Sequence, residues 1–383
     1  MKVLSEKKWI FLLTTLVLVG CGSNNSSNSQ ASQNQEEPVN ATIEESLSYY
    51  RDKYNVPAMA AVVVKDNKIV EKASLGLRKF GSIETVEEND HWGIGSITKS
   101  MTATLSAILV DKGILDWNTT LLEVFPEFQN MQTRYKDTSI EALLSHSTGL
   151  PQDDDEIWKG YVNSMNSVVD QRYTFTKEVL AYESDVMAGT FTYSNINYVV
   201  VAAMLEKLTD LSFEELLETY LLRPVEMHDT HVNIDTQKDD IWGHIYVKGT
   251  RVAIDPSEHH VANAQIVVPA GSRMFTTLDD MGKYLITHLQ AIKGNTSLMR
   301  SQNAQKLYVP IVKVDEDLDY SLGWFTEGDY GIQHNGSNGR WFALTFINYK
   351  TGYGYFVVIN ATGNEVEKGV YEMMHSLIER TNT

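Results

Sequence analysis

The sequence predicts an α+β protein in which an antiparallel sheet is formed by both chain ends, flanked by helices, with a mostly helical lobe inserted between. Strand-like runs rich in β-branched residues occur early, at 59–64 and 68–75. Further strand signals return between 322 and 360, and much of the chain before them has helical spacing. Because strands occur at both ends with helices between, we expect one sheet to join the two ends of the domain.

Local signals predict the individual elements. A helix is predicted over 42–54, and Lys65-Asp66-Asn67 is typical of the turn between the first two strands. A longer helix is predicted over 96–112, because its apolar residues recur at helical spacing and Gly113 follows as a C-terminal cap. The later strands are predicted at 322–326, 331–336, 342–349 and 353–360, and a closing amphipathic helix at 366–380.

The composition is that of a large folded chain. Of the 383 residues 43% are hydrophobic, which is too high a share for a disordered chain. The net charge of -18 argues against nucleic acid as a partner, since phosphates repel a polyanion. We expect one domain over 42–383, with a sheet lobe at about 42–95 and 315–383 and a helical lobe at about 96–314.

The start of the chain resembles a bacterial lipoprotein signal. A basic start precedes an apolar run at 9–20 that is too short to span a bilayer. The run ends at Leu18-Val19-Gly20-Cys21, which resembles a lipoprotein cleavage site. The resemblance implies a signal peptide at 1–20, a lipid on the Cys21 sulfur and a Ser/Asn-rich tether at 21–41. We therefore expect a lipid-anchored protein on the extracytoplasmic face of the cell membrane, with a plain signal peptide as the alternative.

The first candidate for chemistry is the pair Ser96 and Lys99, at the start of the long predicted helix. A residue three positions on lies one turn away on the same helix face, so Lys99 can reach the Ser96 hydroxyl. Burial lowers the pKa of a lysine, and a neutral lysine can accept the serine proton. Ser5 and Lys8 match the same pattern inside the signal peptide. A serine helix cap with a surface lysine is the alternative.

The second candidate is Tyr193-Ser194-Asn195, at the entrance of an apolar helical run. A tyrosine near a cationic Lys99 can ionise more easily or relay a proton. Asn195 offers a donor and an acceptor, which can orient Lys99 and a substrate amide. Tyr161-Val162-Asn163 has the same spacing, and an ordinary turn with a half-buried tyrosine is the alternative.

The third candidate has two versions, Lys350-Thr351-Gly352 and His334-Asn335-Gly336-Ser337. Lys350-Thr351-Gly352 spells the motif of penicillin-recognising enzymes, but it lies between two strand runs that need a tight turn. We interpret it as that hairpin turn. His334-Asn335-Gly336 lies on an earlier predicted strand.

Together the motifs resemble those of class C beta-lactamases, D-alanyl-D-alanine carboxypeptidases and related esterases, and the resemblance covers about residues 42–380. It implies a beta-lactamase-like fold. In that family the third motif lies on a strand with two more strands and a helix to follow, which fits His334 and not Lys350. The motifs, in family order, are Ser96-x-x-Lys99, Tyr193-x-Asn195 and His334-x-Gly336, with similar flanking segments at 143–151, 269–272 and 320–324.

The resemblance also implies roles for these residues. Ser96 is expected to be the nucleophile, with Lys99 and Tyr193 sharing the general-base work. The backbone N–H groups of Ser96 and Ser337 are expected to form an oxyanion hole, and no cofactor or metal is expected. Substrate-binding roles are expected for Asn195, His334, Gly336 and Ser337.

The expected function is a serine hydrolase that forms an acyl-enzyme with a small peptide, ester or beta-lactam substrate. A cell-envelope enzyme related to D-alanyl-D-alanine carboxypeptidases and beta-lactamases is favoured, acting on substrates that include cell-wall precursors. His334 replaces the lysine of many beta-lactamases and is mostly neutral near pH 7, which lowers the expected beta-lactamase activity. A carboxylesterase or transacylase is the alternative within the family. A non-catalytic penicillin-binding lipoprotein is the alternative from another class.

Other polar residues are expected to be structural. His146 is predicted to hydrogen-bond the loop that follows it, and residues 153–156 to form a solvated acidic loop rather than a calcium site. His259-His260 has no partner at metal-ligand spacing. Tyr320 and Trp324 are equally compatible with pocket lining and with core packing.

Overall fold

The computed structural model describes residues 41–162, 164–232, 240–248, 250–255 and 264–382. The predictions for the signal peptide, Cys21 and nearly all of the tether fall outside these ranges. The same holds for Asn163 and His259-His260.

The described residues form helices and strands along the whole domain. The helices are α1 (Ile43–Lys53), α2 (Thr98–Asp111), α3 (Leu121–Val124), α4 (Ile140–Leu144), α5 (Asp155–Lys159), α6 (Val168–Val179), α7 (Asn195–Thr209), α8 (Phe213–Leu217), α9 (Leu278–Ile292), α10 (Ser301–Lys306) and α11 (Asn364–Thr381). The strands are β1 (Ala58–Lys65), β2 (Lys68–Gly76), β3 (Trp92–Gly93), β4 (His231–Val232), β5 (Gly243–Val247), β6 (Thr250–Ile254), β7 (Met274–Thr276), β8 (Val312–Lys313), β9 (Asp319–Tyr320), β10 (Phe325–Glu327), β11 (Gly331–Ser337), β12 (Phe342–Asn348) and β13 (Tyr353–Ile359).

The main sheet has eight strands in the order β2-β1-β13-β12-β11-β10-β9-β8, and each neighbouring pair is antiparallel. Strand β1 pairs with β13, and in this pairing Met59 lies opposite Ile359 and Lys65 opposite Tyr353. This pairing joins the early and late parts of the chain in one sheet. The predicted α+β class, with a sheet built from both ends, is confirmed.

Strand β1 is apolar along its length because both faces of the sheet are covered. Alternate residues from Met59 belong to a core shared with α1 and α11, and those from Ala60 belong to the core on the other face. Helix α9 packs on that second face, where a side-chain carbon added to Gly282 would lie 2.7 Å from Ile69. The sheet is therefore sandwiched between helices.

Helix α2 runs through the inserted segment and is buried from Thr98 to Val110. It ends where Gly113 adopts a φ of 73° and donates to Val110, while Ile114 donates to Leu109. These two bonds form a Schellman motif, in which glycine is favoured because it tolerates positive φ. The cap predicted from the sequence is confirmed, but α2 proper begins at Thr98, after a short 3-10 helix at Gly95–Ile97.

Short strands in the inserted segment and just before it are not revealed by the periodicity. β3, β7 and β4 form a small antiparallel sheet, and β5 pairs with β6. Strands β3, β4 and β7 have only two or three residues each, which is too short to produce a period-two pattern. The pairing of β3 with β7 brings the segment before Ser96 against the segment after Gly271.

Lys350-Thr351-Gly352 connects β12 to β13, as the sequence predicts for a hairpin turn. Gly352 has a φ of 70°, and the Asn348 side chain accepts from the Lys350 and Thr351 N–H groups at 2.9 and 3.1 Å. In the ranges that the structure describes, none of the helices combines the length and the apolar character that crossing a bilayer requires.

Candidate active site

Ser96 lies in the 3-10 helix Gly95–Ile97, which leads directly into α2. Lys99 follows one turn later, and its Nζ donates to the Ser96 Oγ at 3.1 Å. Ser96 is partly exposed, whereas Lys99 is fully buried. The pair therefore joins a hydroxyl that a substrate can reach to an amine that solvent cannot reach.

Oxygen atoms from three chain segments surround the Lys99 amine. Besides Ser96, Nζ donates to the Asn195 Oδ1 at 2.6 Å and to the Ala270 carbonyl at 2.7 Å. Burial lowers the pKa of Lys99 to about 7, against the opposing negative charge of Asp153. A lysine with this pKa is partly neutral near pH 7 and can accept a proton from Ser96.

Tyr193 reaches this pair from the loop that precedes α7. Its ring centroid lies 4.6 Å from the Lys99 Nζ, and its hydroxyl is near enough to the Ser96 side chain to interact with it. Burial raises the pKa of Tyr193, so its phenol stays protonated near pH 7. Of the two roles that the sequence leaves open, proton relay fits this environment and easier ionisation does not.

Asn195 is the first residue of α7, and Ser194 is its N-cap, with the Ser194 Oγ accepting from the Ile196 N–H at 3.2 Å. The cap fixes where the helix begins and so where the Asn195 side chain points. The rival motif is engaged elsewhere, because the Tyr161 hydroxyl donates to Glu178 at 2.6 Å.

Glycines allow two other segments to approach the segment that carries Ser96. A Cβ added to Gly336 or to Gly271 would lie 2.7 Å from the Ser96 nitrogen, closer than real side chains come. A Cβ added to Gly95 would lie 2.4 Å from the Ser337 nitrogen. Glycine is therefore required at each position. The backbone nitrogens of Ser96 and Ser337 consequently lie close together, which an oxyanion hole requires.

His334 lies on β11 and is fully buried. Its Nε2 is 3.1 Å from the Tyr320 hydroxyl, and its Nδ1 is 2.5 Å from the Asn335 carbonyl oxygen. Burial, together with the charge of Lys99, lowers the pKa of His334 to about 3. His334 is thus neutral at pH 7, and both of its ring nitrogens have neighbours.

The neighbouring side chains of Asn335 and Ser337 point away from the face of His334, because successive residues alternate between the two faces of a sheet. The Asn335 Nδ2 donates to the Tyr371 hydroxyl at 3.0 Å, and the Ser337 Oγ accepts from the Gly339 N–H at 3.1 Å. Ser337 can therefore serve the site only through its backbone.

Two expectations about structural residues are wrong. His146 does not bond the loop that follows it; its Nδ1 accepts from the Ser194 N–H at 3.3 Å and lies 3.1 Å from the Asn197 Nδ2. Asp153 is not part of a solvated loop, because its carboxylate accepts from Ser194 and Asn195. Both residues hold the Tyr193 segment in place. Their partners lie more than forty residues later in the chain, so the local sequence gives no signal of these contacts.

The remaining candidates have simpler outcomes. Tyr320 borders His334, whereas the buried Trp324 packs against His288, with ring centroids 5.0 Å apart. Across the described ranges, no three His, Cys, Asp or Glu side chains are grouped closely enough to hold a metal ion. Cys21 lies outside these ranges.

Residues 39–373 match the protein family described as Beta-lactamase. Among curated proteins, the chain is similar to Protein flp of Staphylococcus aureus (strain MW2), with 22% identity over 356 residues, covering 91% of this chain and 66% of that protein. It is also similar to Unguisins hydrolase ungD of Aspergillus violaceofuscus (strain CBS 115571), with 25% identity over 224 residues, covering 56% of this chain and 37% of that protein. The chain thus spans just under two thirds of the length of Protein flp.

Among solved structures, the chain is similar to the octameric penicillin-binding protein homologue from Pyrococcus abyssi. The TM-score is 0.72 and the identity 23%, and the match covers 88% of this chain and 77% of the other. This likeness supports the fold described above.

Substituting Gly336 with alanine tests the close approach at Ser96. The new methyl group would lie 2.0 Å from the Ile94 carbonyl oxygen, so the strand must move away from the Ser96 backbone. We expect covalent modification of Ser96 by a fluorophosphonate to slow by about a hundredfold, the cost of roughly 1 Å of misplacement. Gly160→Ala is the control, because nothing lies within 4 Å of its added carbon. An unchanged rate in a folded Gly336→Ala protein would contradict the packing argument.

Proposed function

The chain belongs to the beta-lactamase family, and on that basis we propose that it is a serine hydrolase that forms a covalent acyl-enzyme through Ser96. The observation that carries the proposal is the 3.1 Å hydrogen bond between the Ser96 hydroxyl and the buried Lys99 amine. A serine is a weak nucleophile until a base takes its proton, and a lysine with a pKa of about 7 is such a base.

In the proposed acylation step, the neutral Lys99 takes the Ser96 proton as the Oγ attacks the substrate carbonyl carbon. The backbone N–H groups of Ser96 and Ser337 bind the oxygen that becomes negative. The Lys99 proton then passes through the Tyr193 hydroxyl to the leaving amine or alcohol as its bond to carbon breaks. Water releases the acyl group by the reverse sequence of proton transfers, which restores the Ser96 hydroxyl.

The first substrate class that we propose is peptides ending in D-alanyl-D-alanine, including cell-wall precursors. Family membership supports this class, as does the similarity to a structure described as a penicillin-binding protein homologue. One similar protein is named a hydrolase, of unguisins, which is compatible with hydrolysis at this site. Beta-lactams are proposed as weaker substrates, since His334 carries no charge.

One observation favours a second candidate, a carboxylesterase or transacylase. His334 is buried and neutral, and its two ring nitrogens lie next to Tyr320 and to the Asn335 carbonyl. It therefore offers no cation to bind a substrate carboxylate. A neutral ester or a peptide with a blocked C-terminus has no charge to desolvate at such a site. A free carboxylate would lose its hydration without gaining an ion pair.

We further propose that the protein is a lipoprotein held on the extracytoplasmic face of the cell membrane through Cys21. The motif Leu18-Val19-Gly20-Cys21 supports this placement. A Cys21→Ser variant is expected to leave the membrane fraction of expressing cells, because its anchor cannot form. Ser23→Ala is the control and is expected to stay with the membrane. Retention of the Cys21→Ser protein in the membrane fraction would rule out the anchor.

Covalent labelling tests the nucleophile. Ser96→Ala removes the attacking oxygen, so we expect labelling by a fluorophosphonate or a fluorescent penicillin to disappear. Ser100→Ala, four residues further along the chain in α2 and fully buried, is the control and is expected to keep its label. Labelling of the Ser96→Ala protein at the wild-type rate would remove the assignment. A wild-type protein that neither labels nor hydrolyses any ester would instead be a binding lipoprotein.

A matched substrate pair separates the two candidate functions. A carboxypeptidase is expected to prefer a peptide ending in D-alanyl-D-alanine over the same peptide with an amidated C-terminus. A carboxylesterase is expected to give kcat/KM values within about tenfold for the two peptides, because no cation recognises the carboxylate. A nitrophenyl ester is expected to react faster than either, and nitrocefin more slowly than the ester. A preference of more than about a hundredfold for the free carboxylate would establish the carboxypeptidase and reject the esterase.

A further inference from the structure

We propose that Asp153 is a positioning residue that both holds the Tyr193–Asn195 segment in place and sets the charge state of Lys99. The inference rests on the proposed function and deepens it, because it assigns a role to a carboxylate outside the three motifs. Asp153 lies on the loop after Pro151, more than forty residues before Asn195 in the sequence.

The first half of the role is geometric. The Asp153 Oδ1 accepts from the Ser194 hydroxyl at 2.8 Å and from the Ile196 N–H at 3.3 Å, while its Oδ2 accepts from the Asn195 N–H at 2.9 Å. These donors are the N-cap residue and the first N–H groups of α7, which have no partner inside the helix. The carboxylate thus holds the start of the helix that carries Asn195.

The position of Asp153 also suits its charge. The N-terminus of α7, a helix of fifteen residues, carries a partial positive charge that stabilises a nearby carboxylate. Burial raises the pKa of Asp153, while the N–H donors and the Lys99 charge act in the opposite direction. The three donors and the nearby ammonium favour the ionised form of this carboxylate over the neutral form.

The second half of the role is electrostatic, and it depends on what else faces Lys99. Tyr193 and Tyr198 of the α7 region are protonated, because burial raises the pKa of each. His334 from β11 and His146 from the loop after α4 are neutral, because burial lowers their pKa values. Among the described residues, this leaves Asp153 as the charged group that acts on the Lys99 amine.

The two halves are linked through Asn195. Its N–H donates to Asp153, and its side-chain oxygen accepts from Lys99. Asp153 therefore acts on Lys99 both through space and through the residue that orients the amine. Its negative charge favours protonated Lys99 and so raises the pH at which the amine becomes a base.

The Asp153→Asn variant tests this role, with Asp154→Asn as its control, since Asp154 is the exposed neighbour with the same side chain. The measured quantity is the rate of Ser96 labelling by a fluorophosphonate between pH 5 and pH 10. In the wild type we expect the rate to rise with pH through a midpoint near 7, as Lys99 loses its proton. Without the Asp153 charge, protonated Lys99 is less stable, so the midpoint moves to lower pH.

We also expect the Asp153→Asn plateau rate to fall by about tenfold or more, because an amide cannot accept from every donor on both of its atoms. Asp153→Glu keeps the charge on a longer side chain. It is expected to keep the wild-type midpoint while losing plateau rate, and it replaces Asp153→Asn if that protein does not fold.

Distinct results separate the possible failures. A wild-type protein that shows no Ser96-dependent labelling would reject the proposed function itself. Normal labelling with the same midpoint in the wild type and in folded Asp153→Asn would reject the inference and leave the function standing. Equal shifts in Asp153→Asn and Asp154→Asn would also reject it, since they would reflect net charge. A midpoint in Asp153→Glu that differs from the wild type would reject the charge as the cause.

Discussion

The burial of one ammonium group organises this site. An amine removed from water loses hydration that only close polar partners can replace. Lys99 receives those partners from Ser96, Asn195 and the Ala270 carbonyl, which belong to three separate elements. Each partner is held in turn: Ser96 by the entry to α2, Asn195 by the cap of α7, and Ala270 by the 3-10 helix Gln265–Ala270. The buried Arg172 donates to carbonyls at the start of that helix, at Gln265 and Ile266.

The same constraint explains why the Ser96 backbone is crowded by glycines. Water is excluded from the Lys99 amine because strand β11 and the segment around Gly271 pack against the start of α2. They close so tightly that a Cβ at Gly336 or Gly271 would overlap the Ser96 backbone. The close approach that excludes water from the amine therefore also brings two backbone nitrogens to one place. General-base chemistry and oxyanion binding arise from a single packing arrangement.

The sequence reveals those parts of the site whose cause is local. Ser96 and Lys99 are one helical turn apart, so their contact follows from helix geometry alone. The choice of His334 over Lys350 comes from the family resemblance, in which two more strands and a helix follow the third motif. The Ala270 carbonyl gives no signal, because every residue has one. The local sequence does not indicate the role of Asp153, because its partners lie at the start of α7 and the fold alone brings them together. Strands β3 and β7 escaped notice because two or three residues show no periodicity.

The identity of residue 334 then affects more than substrate recognition. A lysine at His334 would place a second ammonium near Lys99, and repulsion would lower the pKa of Lys99 further. Asp153 supplies a negative charge that acts against the effect of burial on the Lys99 amine. A neutral histidine leaves Lys99 with a pKa of about 7, poised to exchange protons at physiological pH. The third motif and the acidic loop are therefore coupled through Lys99, and a change of charge at either one alters the basicity of the same amine.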